Sequence, residues 1–339
     1  MKKRTLRHED YTVGWVCALP IELSAAQVML DEVHGQLPTD LHDNVLYTVG
    51  SIGKHNVVIA CLPSGRMGTI SAAVVSTEMR RKFTSIRFGL MVGIGGGVPN
   101  LKKNIDIRLG DVVISHPDKD HGGVVQYDFG KTTPDGFSRT GSLNTPPNIL
   151  LNAISNMRSR YANKMNEEDN LLTYLAKFDK LSHFNRDKAG RDILFQADYN
   201  HKGGYTCAEC DQTQIEQRDP LNRPEVMIHY GTIASGDQVM KHGRARDDLS
   251  KQLGDILCFE MEAAGLMNDF PCLVVRGMFI AMVFPGMAIV QRVHALISPN
   301  FQAFAIMRTH TRTKRGSRMQ QRQQLPVRKR FLQLYQRHR

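Results

Sequence analysis

Apolar residues along the first half of the chain follow two alternating patterns. Short runs rich in β-branched and aromatic residues are typical of buried strands, and the segments between them carry apolar residues at helical spacing. Because strands alternate with helices, we expect an α/β fold with a largely parallel or mixed sheet. The predicted strands are 11–19, 45–49, 57–61, 88–92 and 111–115, and the predicted helices are 21–30 and 69–83.

The second half begins with a long polar segment, 146–225, which is charged and weakly periodic. We interpret it as a helix at 149–161 followed by an irregular insertion at about 162–225. Ordered patterning resumes after the insertion. The elements predicted there are strands at 227–233 and 272–275 and a helix at 244–253.

The composition, 41% apolar and 23% charged, is that of an ordinary globular protein. No apolar stretch follows the basic residues at the start of the chain, so we expect no secretory signal. The longest late apolar run, 278–290, contains Pro285 and is too short to cross a bilayer. We therefore expect a cytoplasmic protein that does not bind membranes.

The formal net charge of +11 is distributed unevenly. Residues 278–339 hold 12 of the 44 Lys and Arg and no Asp or Glu, which leaves 32 basic against 33 acidic residues in 1–277. The tail has little aromatic interleaving, so we do not expect nucleic-acid binding, with an RNA-binding arm as the alternative. We divide the chain into an extension at 1–10, one domain at 11–277 and a disordered basic tail at 278–339.

Six cysteines in 339 residues do not indicate a disulfide framework. Four of them lie in apolar runs, where a reduced, buried thiol is expected. Cys207 and Cys210 form a C-x-x-C in the polar insertion, which could be half of a zinc site. Because neither a second C-x-x-C nor a closely spaced His pair accompanies it, we predict no metal.

A glycine-rich segment, Gly93-Ile94-Gly95-Gly96-Gly97, follows a predicted strand. Its backbone N–H groups could approach an anion or a sugar oxygen closely, because few side chains intervene. The spacing matches neither the G-x-G-x-x-G of dinucleotide-binding folds nor a Walker A loop. Taken alone, the segment is more typical of a simple turn.

Three glutamates lie beside apolar runs. Glu260 and Glu262 flank Met261 in an apolar segment, and Glu22 follows the first predicted strand. Charged side chains are rare in such places unless they are paired or functional, and a carboxylate can accept hydrogen bonds from two vicinal hydroxyls. The alternative for each is an acid in a first helical turn, which the helix dipole favours. The residues alone leave both interpretations open.

Six segments together, in order and spacing, resemble one family: the purine/uridine phosphorylase and methylthioadenosine/S-adenosylhomocysteine nucleosidase superfamily, and especially its fungal proteins. The resemblance covers 11–277, and its most specific motifs are MVGIGGGVP and CFEMEAAG. It implies a three-layer αβα sandwich with a central mixed sheet, usually in a homo-oligomer. It also implies cleavage of a nucleoside N-glycosidic bond by phosphate or water, without a cofactor or metal. The segments are 14–23, 65–73, 91–99, 109–115, 231–240 and 258–265.

The resemblance further implies roles for particular residues. Glu262 would bridge the 2′- and 3′-hydroxyls of the ribose, with Met261 and Glu260 beside it. Glu22 would orient the attacking water, and carboxylates near the ribose would stabilise the oxocarbenium-like transition state. The glycines expected near the phosphate or water are Gly95, Gly96 and Gly97, and the residues expected in the base pocket are Gln238, Val239 and Met240.

The chain departs from the family after Gly277. Family members continue with Ile-Cys-Asp-Tyr-Ala-Asp, whose aspartates contact the leaving base, whereas no Asp occurs here beyond that point. We hypothesise that the sequence translates a retained intron and then a shifted reading frame. Possible codons for 277–302 include a splice site at each end. Possible codons from Ala303 onward, read one base earlier, encode the missing family segment. The absence of any spliced cDNA joining Gly277 to that frame would refute this. For the product as written we expect impaired cleavage or, alternatively, a catalytically inactive nucleoside-sensing domain.

Overall fold

The fold is an α/β arrangement around an 11-stranded mixed sheet, which confirms the predicted fold class. Within the part of the chain that the structure describes, no helix has the length and apolar character needed to cross a membrane. Most of the polar insertion and the tail from residue 280 onward lie outside that part, so the irregular course predicted for the insertion and the disorder predicted for the tail stay predictions. The computed structural model describes residues 3–38, 43–118, 120–163, 176–178, 192–202, 207–220, 223 and 226–279.

The main elements follow the predicted alternation. The α-helices are α1 (Pro20–Met29), α2 (Thr69–Lys82), α3 (Asn148–Ala162) and α4 (Gly243–Gln252). The strands are β1 (Val13–Cys17), β2 (Glu32–Val33), β3 (Tyr47–Ile52), β4 (His55–Cys61), β5 (Phe88–Gly97), β6 (Val112–Ser115), β7 (Val124–Gln126), β8 (Gly130–Thr133), β9 (Gly136–Arg139), β10 (Ile228–Gly231), β11 (Ile233–Ser235), β12 (Cys258–Glu260) and β13 (Cys272–Phe279).

The sheet has a parallel centre flanked by antiparallel pairs, and its outer pair of β10 with β6 is parallel again. Its main path runs β10-β6-β13-β5-β1-β4-β3-β2. Neighbours from β13 to β4 along this path are parallel, whereas β13 is antiparallel to β6 and β4 is antiparallel to β3. Near its end, β5 also pairs with β12, through Gly96 and Gly97. The long strand β5 therefore joins two parts of the sheet, and its end lies between β12 and β13.

Helices cover both faces of the sheet, as the three-layer prediction requires. Trp15 packs with the buried faces of α1 and α3, whereas the next residue, Val16, packs with α2 on the opposite face. Every residue of β1 is buried, because a strand with helices on both faces has no polar side. This explains why the sequence shows a continuous apolar run there instead of an alternating one.

The predicted strand at 227–233 is two strands, β10 and β11, which pair with different neighbours. Two further differences from the predictions concern the glycine-rich segment and the end of β13. The glycine-rich segment is not a turn, because β5 continues through Gly97 and pairs with β13 on one side and β12 on the other. Glycines have no side chains to show a strand period, so the sequence could not reveal this. The strand β13 also extends beyond the predicted end at 275, and Met278 pairs with Gly95.

Candidate functional site

A cavity of about 400 Å³ lies at the carboxyl ends of β1, β5 and β12. All of the predicted site residues line it. The structure thus brings together segments that are far apart in the sequence, although their individual roles remain predictions. These residues are Glu22, Gly95, Gly96, Gly97, Gln238, Val239, Met240, Glu260, Met261 and Glu262.

Glu22 is fixed at the start of α1 by backbone hydrogen bonds. Its Oε2 accepts from the N–H groups of Ala18 (2.7 Å) and Leu19 (3.0 Å), and its Oε1 accepts from the N–H of Ile94 on β5 (2.9 Å). Glu22 is therefore a helix-start acid and also a cavity residue. Burial raises its pKa, while Arg276 and the three N–H groups act in the opposite direction.

Arg276 on β13 lies at the centre of a buried ionic network. Its Nη2 donates to Glu260 and to Oε2 of Glu262 (3.2 Å). The exposed fractions are 0% for Arg276 and 5% for each of these glutamates. Burial lowers the pKa of Arg276, but Glu260, Glu262 and Glu22 raise it, and the net direction is upward.

Arg276 was not among the site residues predicted from the sequence. Its signal was available, because a single arginine within an apolar strand has to be paired when it is buried. The family resemblance includes the strand that contains Arg276, but the departure it reveals concerns the segment after that strand. The structure adds Arg276 as the cation shared by the glutamates.

Gly93 makes the close approach of this arginine possible. A Cβ at Gly93 would lie 2.4 Å from Nη1 of Arg276 and 2.4 Å from Oε1 of Glu22. Both groups are buried, so neither could move aside into solvent. The glycine-rich strand thus lets a guanidinium and a carboxylate pack against its backbone.

Glu260 ends strand β12, and Glu262 lies two residues later, directly before a single 3-10 turn at Ala263–Gly265. The carboxylate of Glu260 accepts from the backbone N–H groups of Glu262 (3.2 Å) and Ala263 (3.0 Å), so it holds the chain in a tight turn. Burial raises the pKa of Glu262 to about 7; Arg276 opposes the rise, and Glu260 and Glu22 add to it. A carboxyl group that titrates near neutrality therefore lines the cavity.

The loop after β11 forms the mouth of the cavity. The hydroxyl of Tyr127 donates to the carbonyl of Gln238 (2.8 Å), and the Tyr127 ring packs edge-on against Phe259 at 5.4 Å. Asp237, in the same loop, accepts from the backbone N–H and the hydroxyl of Thr69, both at 2.8 Å. Asp237 therefore caps α2, a helix distant in sequence.

A further wall of the cavity comes from the polar insertion. The residues of this segment that line the cavity are Asp192, Ile193, Leu194, Phe195, Gln196, Ala197 and Tyr199. The sequence predicted no role for this segment, because its weak periodicity gave no indication of packing against the domain.

The arginines around the cavity are already engaged. Arg108 and Arg218 both contact Asp106, and Arg218 also binds Asp192 at 2.7 Å. Among the described residues, each arginine lining the cavity contacts a carboxylate, and Lys241 is an exposed lysine at the mouth. No lining arginine is thus left with its charge unmatched.

Comparison with known proteins agrees with this architecture. A nucleotide-binding leucine-rich repeat (NLR)-like protein of Hyaloscypha variabilis is 45% identical over 281 residues, which are 82% of this chain and 27% of that protein. The chain thus spans about a quarter of that relative's length. A 5′-methylthioadenosine/S-adenosylhomocysteine nucleosidase of Mycobacterium bovis is 25% identical over 274 residues, covering 79% of this chain and 84% of the enzyme.

Solved structures share the fold at low sequence identity. The Neisseria meningitidis 5′-methylthioadenosine/S-adenosylhomocysteine nucleosidase, in complex with methylthio-immucillin-A, has a TM-score of 0.51 and 15% identity, covering 86% of this chain and 99% of its own. A putative nucleosidase of the same type from Borrelia burgdorferi, bound to adenine, has a TM-score of 0.53 and 16% identity, covering 88% and 100%. The family model described as "Phosphorylase superfamily" matches residues 12–268, and the chain belongs to that superfamily.

Proposed function

We propose that the domain binds the ribose of a purine nucleoside through Glu262 and hydrolyses its N-glycosidic bond slowly, with water as the nucleophile. The observation that carries this proposal is the buried network of Glu22, Arg276, Glu260 and Glu262 at the edge of the cavity. Glu260 and Glu262 share one guanidinium there, and Glu22 is close enough to interact with it electrostatically, so the network has surplus negative charge when all three carboxylates are ionised. Such charge favours a ribosyl group that becomes cationic in the transition state.

The ribose side of the site rests on Glu262 and Met261. Arg276 and the turn held by Glu260 fix the position of Glu262. An ionised carboxylate accepts hydrogen bonds from two vicinal hydroxyls without needing a donor of its own. Half-buried Met261 lines the same part of the cavity and offers apolar contact to the sugar.

The water side of the site rests on Glu22. A carboxylate offers about four lone-pair positions, and three of those on Glu22 accept backbone N–H groups. One lone-pair position on this buried carboxylate receives no backbone hydrogen bond, and we assign it to the attacking water. Because the backbone fixes the carboxylate, it orients that water without moving.

Water is favoured over phosphate as the nucleophile by the pairing of the lining arginines with carboxylates. A phosphate ion is bound best by arginines that can offer it two parallel hydrogen bonds. The lining arginines among the described residues already contact carboxylates. A bound phosphate would therefore face the repulsion of those carboxylates.

The slow rate follows from the base side of the site. Cleavage is faster when an acid protonates or hydrogen-bonds the departing base. The described acids that line the cavity are Glu22, Asp192, Glu260 and Glu262, and Asp192 is held by Arg218 and by the backbone N–H of Leu109. No Asp follows β13 in the sequence.

A nucleoside-sensing domain without catalysis is the second candidate. The observation that favours it is the 45% identity to an NLR-like protein of which this chain covers 27%, together with the missing base-side acid. In this alternative the same network binds the ribose, but no base is released.

Release of free base, measured by liquid chromatography, separates the candidates. Adenosine, inosine and 5′-methylthioadenosine are incubated with the full chain, with and without phosphate, and with the spliced form as a comparison. We expect slow, phosphate-independent release by the full chain and faster release by the spliced form. A requirement for phosphate would refute hydrolysis, and binding without release by either form would favour the sensor.

Nucleoside affinity is expected to fall as the pH drops below about 7, the pKa of Glu262 in the free protein. Ribose hydroxyls bind the ionised carboxylate, so protonation competes with the ligand, by up to about tenfold per pH unit. Above that pKa the affinity should level off. Calorimetric titration with adenosine between pH 5 and pH 8, conditions set by this pKa, measures the profile, and Glu262→Gln should flatten it. A wild-type affinity independent of pH would contradict the assignment.

A further inference from the structure

Outside the cavity, the polar insertion brings together three side chains that bind metals. Ligand atoms of His201, Cys207 and Cys210 all lie within 4.8 Å of one another. Cys210 is 5% exposed, and the other two are half-buried. None of the three lines the cavity, and the proposed hydrolysis does not use them.

The chemistry of this cluster matches zinc. Two thiolates and one imidazole form a soft donor set, which Zn²⁺ prefers and which Mg²⁺ and Ca²⁺ do not. Bond lengths of about 2.3 Å to sulfur and about 2.0 Å to nitrogen place tetrahedral ligand atoms roughly 3.5–4 Å apart. The observed upper limit of 4.8 Å is close to that spacing, so small side-chain rotations would complete the site.

The local backbone is shaped for this role. The N–H of Cys210 donates to the carbonyl of Cys207 (3.2 Å), which closes a tight turn between the two cysteines. Neither cysteine takes part in a disulfide. The side chain of Gln212 also donates to the carbonyl of Cys210 (2.9 Å), which fixes the turn to the chain that follows it.

The cluster joins the two limbs of the insertion. One limb, 192–199, lines the cavity; the other, 211–216, runs beside it. The N–H of Gln196 donates to the carbonyl of Gln214 (2.9 Å), and the N–H of Glu216 donates to the carbonyl of Leu194 (2.8 Å). Beyond this ladder, His201 follows the first limb and the cysteine turn precedes the second.

A hydrogen bond from the N–H of Asp211 to the hydroxyl of Tyr199 (2.7 Å) ties the two limbs together next to the cluster. The ring of Tyr199 stacks on Phe195 at 5.1 Å, and both residues line the cavity. A link at the cluster would therefore restrict this wall of the cavity. Closing the loop between two ordered limbs lowers the entropy of the open state.

We propose that His201, Cys207 and Cys210 bind one zinc ion and that the ion clamps the cavity wall formed by residues 192–199. Binding displaces the thiol protons and involves no oxidation. The role is structural. The test of zinc binding is independent of the proposed hydrolysis, because the metal content is measured without any nucleoside.

Metal analysis of the full chain, produced without a polyhistidine tag and purified without chelators, tests this proposal. We expect about one zinc ion per chain, and replacement of zinc by cobalt(II) should give a thiolate-to-cobalt absorption band. Cys207→Ser and Cys210→Ser should lose both signals and make 192–216 more sensitive to protease. Cys61→Ser, at a half-buried cysteine elsewhere in the fold, is the matched control and should keep them.

The wild-type chain alone suffices if the variants fail to fold. Zinc well below one equivalent, together with no cobalt band after metal addition to reduced protein, would overturn the proposal. A Cys207–Cys210 disulfide found by mass spectrometry in protein that cannot take up cobalt would also overturn it, and would identify the pair as a redox couple.

Discussion

Replacing Arg276 with methionine is expected to lower the free energy of unfolding by about 3–5 kcal/mol, the cost of breaking a buried ion pair on one side. Methionine keeps much of the side-chain volume but removes the guanidinium that Glu260 and Glu262 share. Solvent screens the remaining charges little, because Glu260 and Glu262 are each only 5% exposed. Denaturant titration at a pH above 7, where Glu262 is ionised, measures the loss.

A double variant separates charge from packing. Arg276→Met combined with Glu260→Gln removes one of the unmatched carboxylates, so we expect it to be more stable than Arg276→Met alone. Arg87→Met, at an exposed arginine, is the matched control and should change stability by less than about 0.5 kcal/mol. Wild-type stability for Arg276→Met would show that the network is not ionic.

Replacing Glu262 with glutamine is expected to stabilise the fold above pH 7 by about 1–3 kcal/mol. The pKa of Glu262 rises from an ordinary 4.5 to about 7 on folding. The unfolded chain therefore releases this proton first as the pH rises. The contribution of Glu262 to the free energy of unfolding therefore falls between about pH 4.5 and pH 7. Above that range the folded protein bears the full cost of a buried, ionised carboxylate. Glutamine removes the penalty and keeps an acceptor for Arg276.

The pH dependence distinguishes this effect from general repacking. The gain should be present at pH 8 and should vanish near pH 4.5, where both forms of the protein carry a neutral side chain. Glu78→Gln, at a carboxylate on α2 paired with Arg81, is the control and should show no such gain. A gain that is equal at both pH values would argue against a raised pKa. A variant that is more stable but binds ribose less tightly is a common outcome at functional sites.

The sequence predicted the core of the site because its signals are local. Glu260, Glu262 and Glu22 each interrupt an apolar run, and the family motifs gave these residues an order that the structure brings to one cavity. Arg276 is likewise a charged side chain within an apolar run, but the family motifs gave it no role. The partners of a buried charge on another strand can be identified only when the order of the strands is known. Arg276 on β13 and Glu260 on β12 meet because both strands pair with the end of β5.

Other features could not be predicted from the sequence for physical reasons. The strand character of Gly95 to Gly97 depends on pairing with β12 and β13, since glycine carries no side-chain period. The cavity wall at 192–199 is held by hydrogen bonds to a segment that follows the cysteine turn, and polar loops of this kind show no periodicity. His201 is six residues before Cys207, a spacing that only folding turns into proximity.

Calorimetric titration of adenosine and 2′,3′-dideoxyadenosine into the wild-type chain and Glu262→Gln tests the claim that Glu262 binds the ribose hydroxyls. The titration is run at a pH above the Glu262 pKa of about 7. The wild-type chain should bind adenosine about 100-fold more tightly than the dideoxy compound, the value of charge-assisted hydrogen bonds to two hydroxyls. The variant should bind the two compounds about equally. Equal affinities in the wild-type chain, or an unchanged preference in the variant, would contradict the claim.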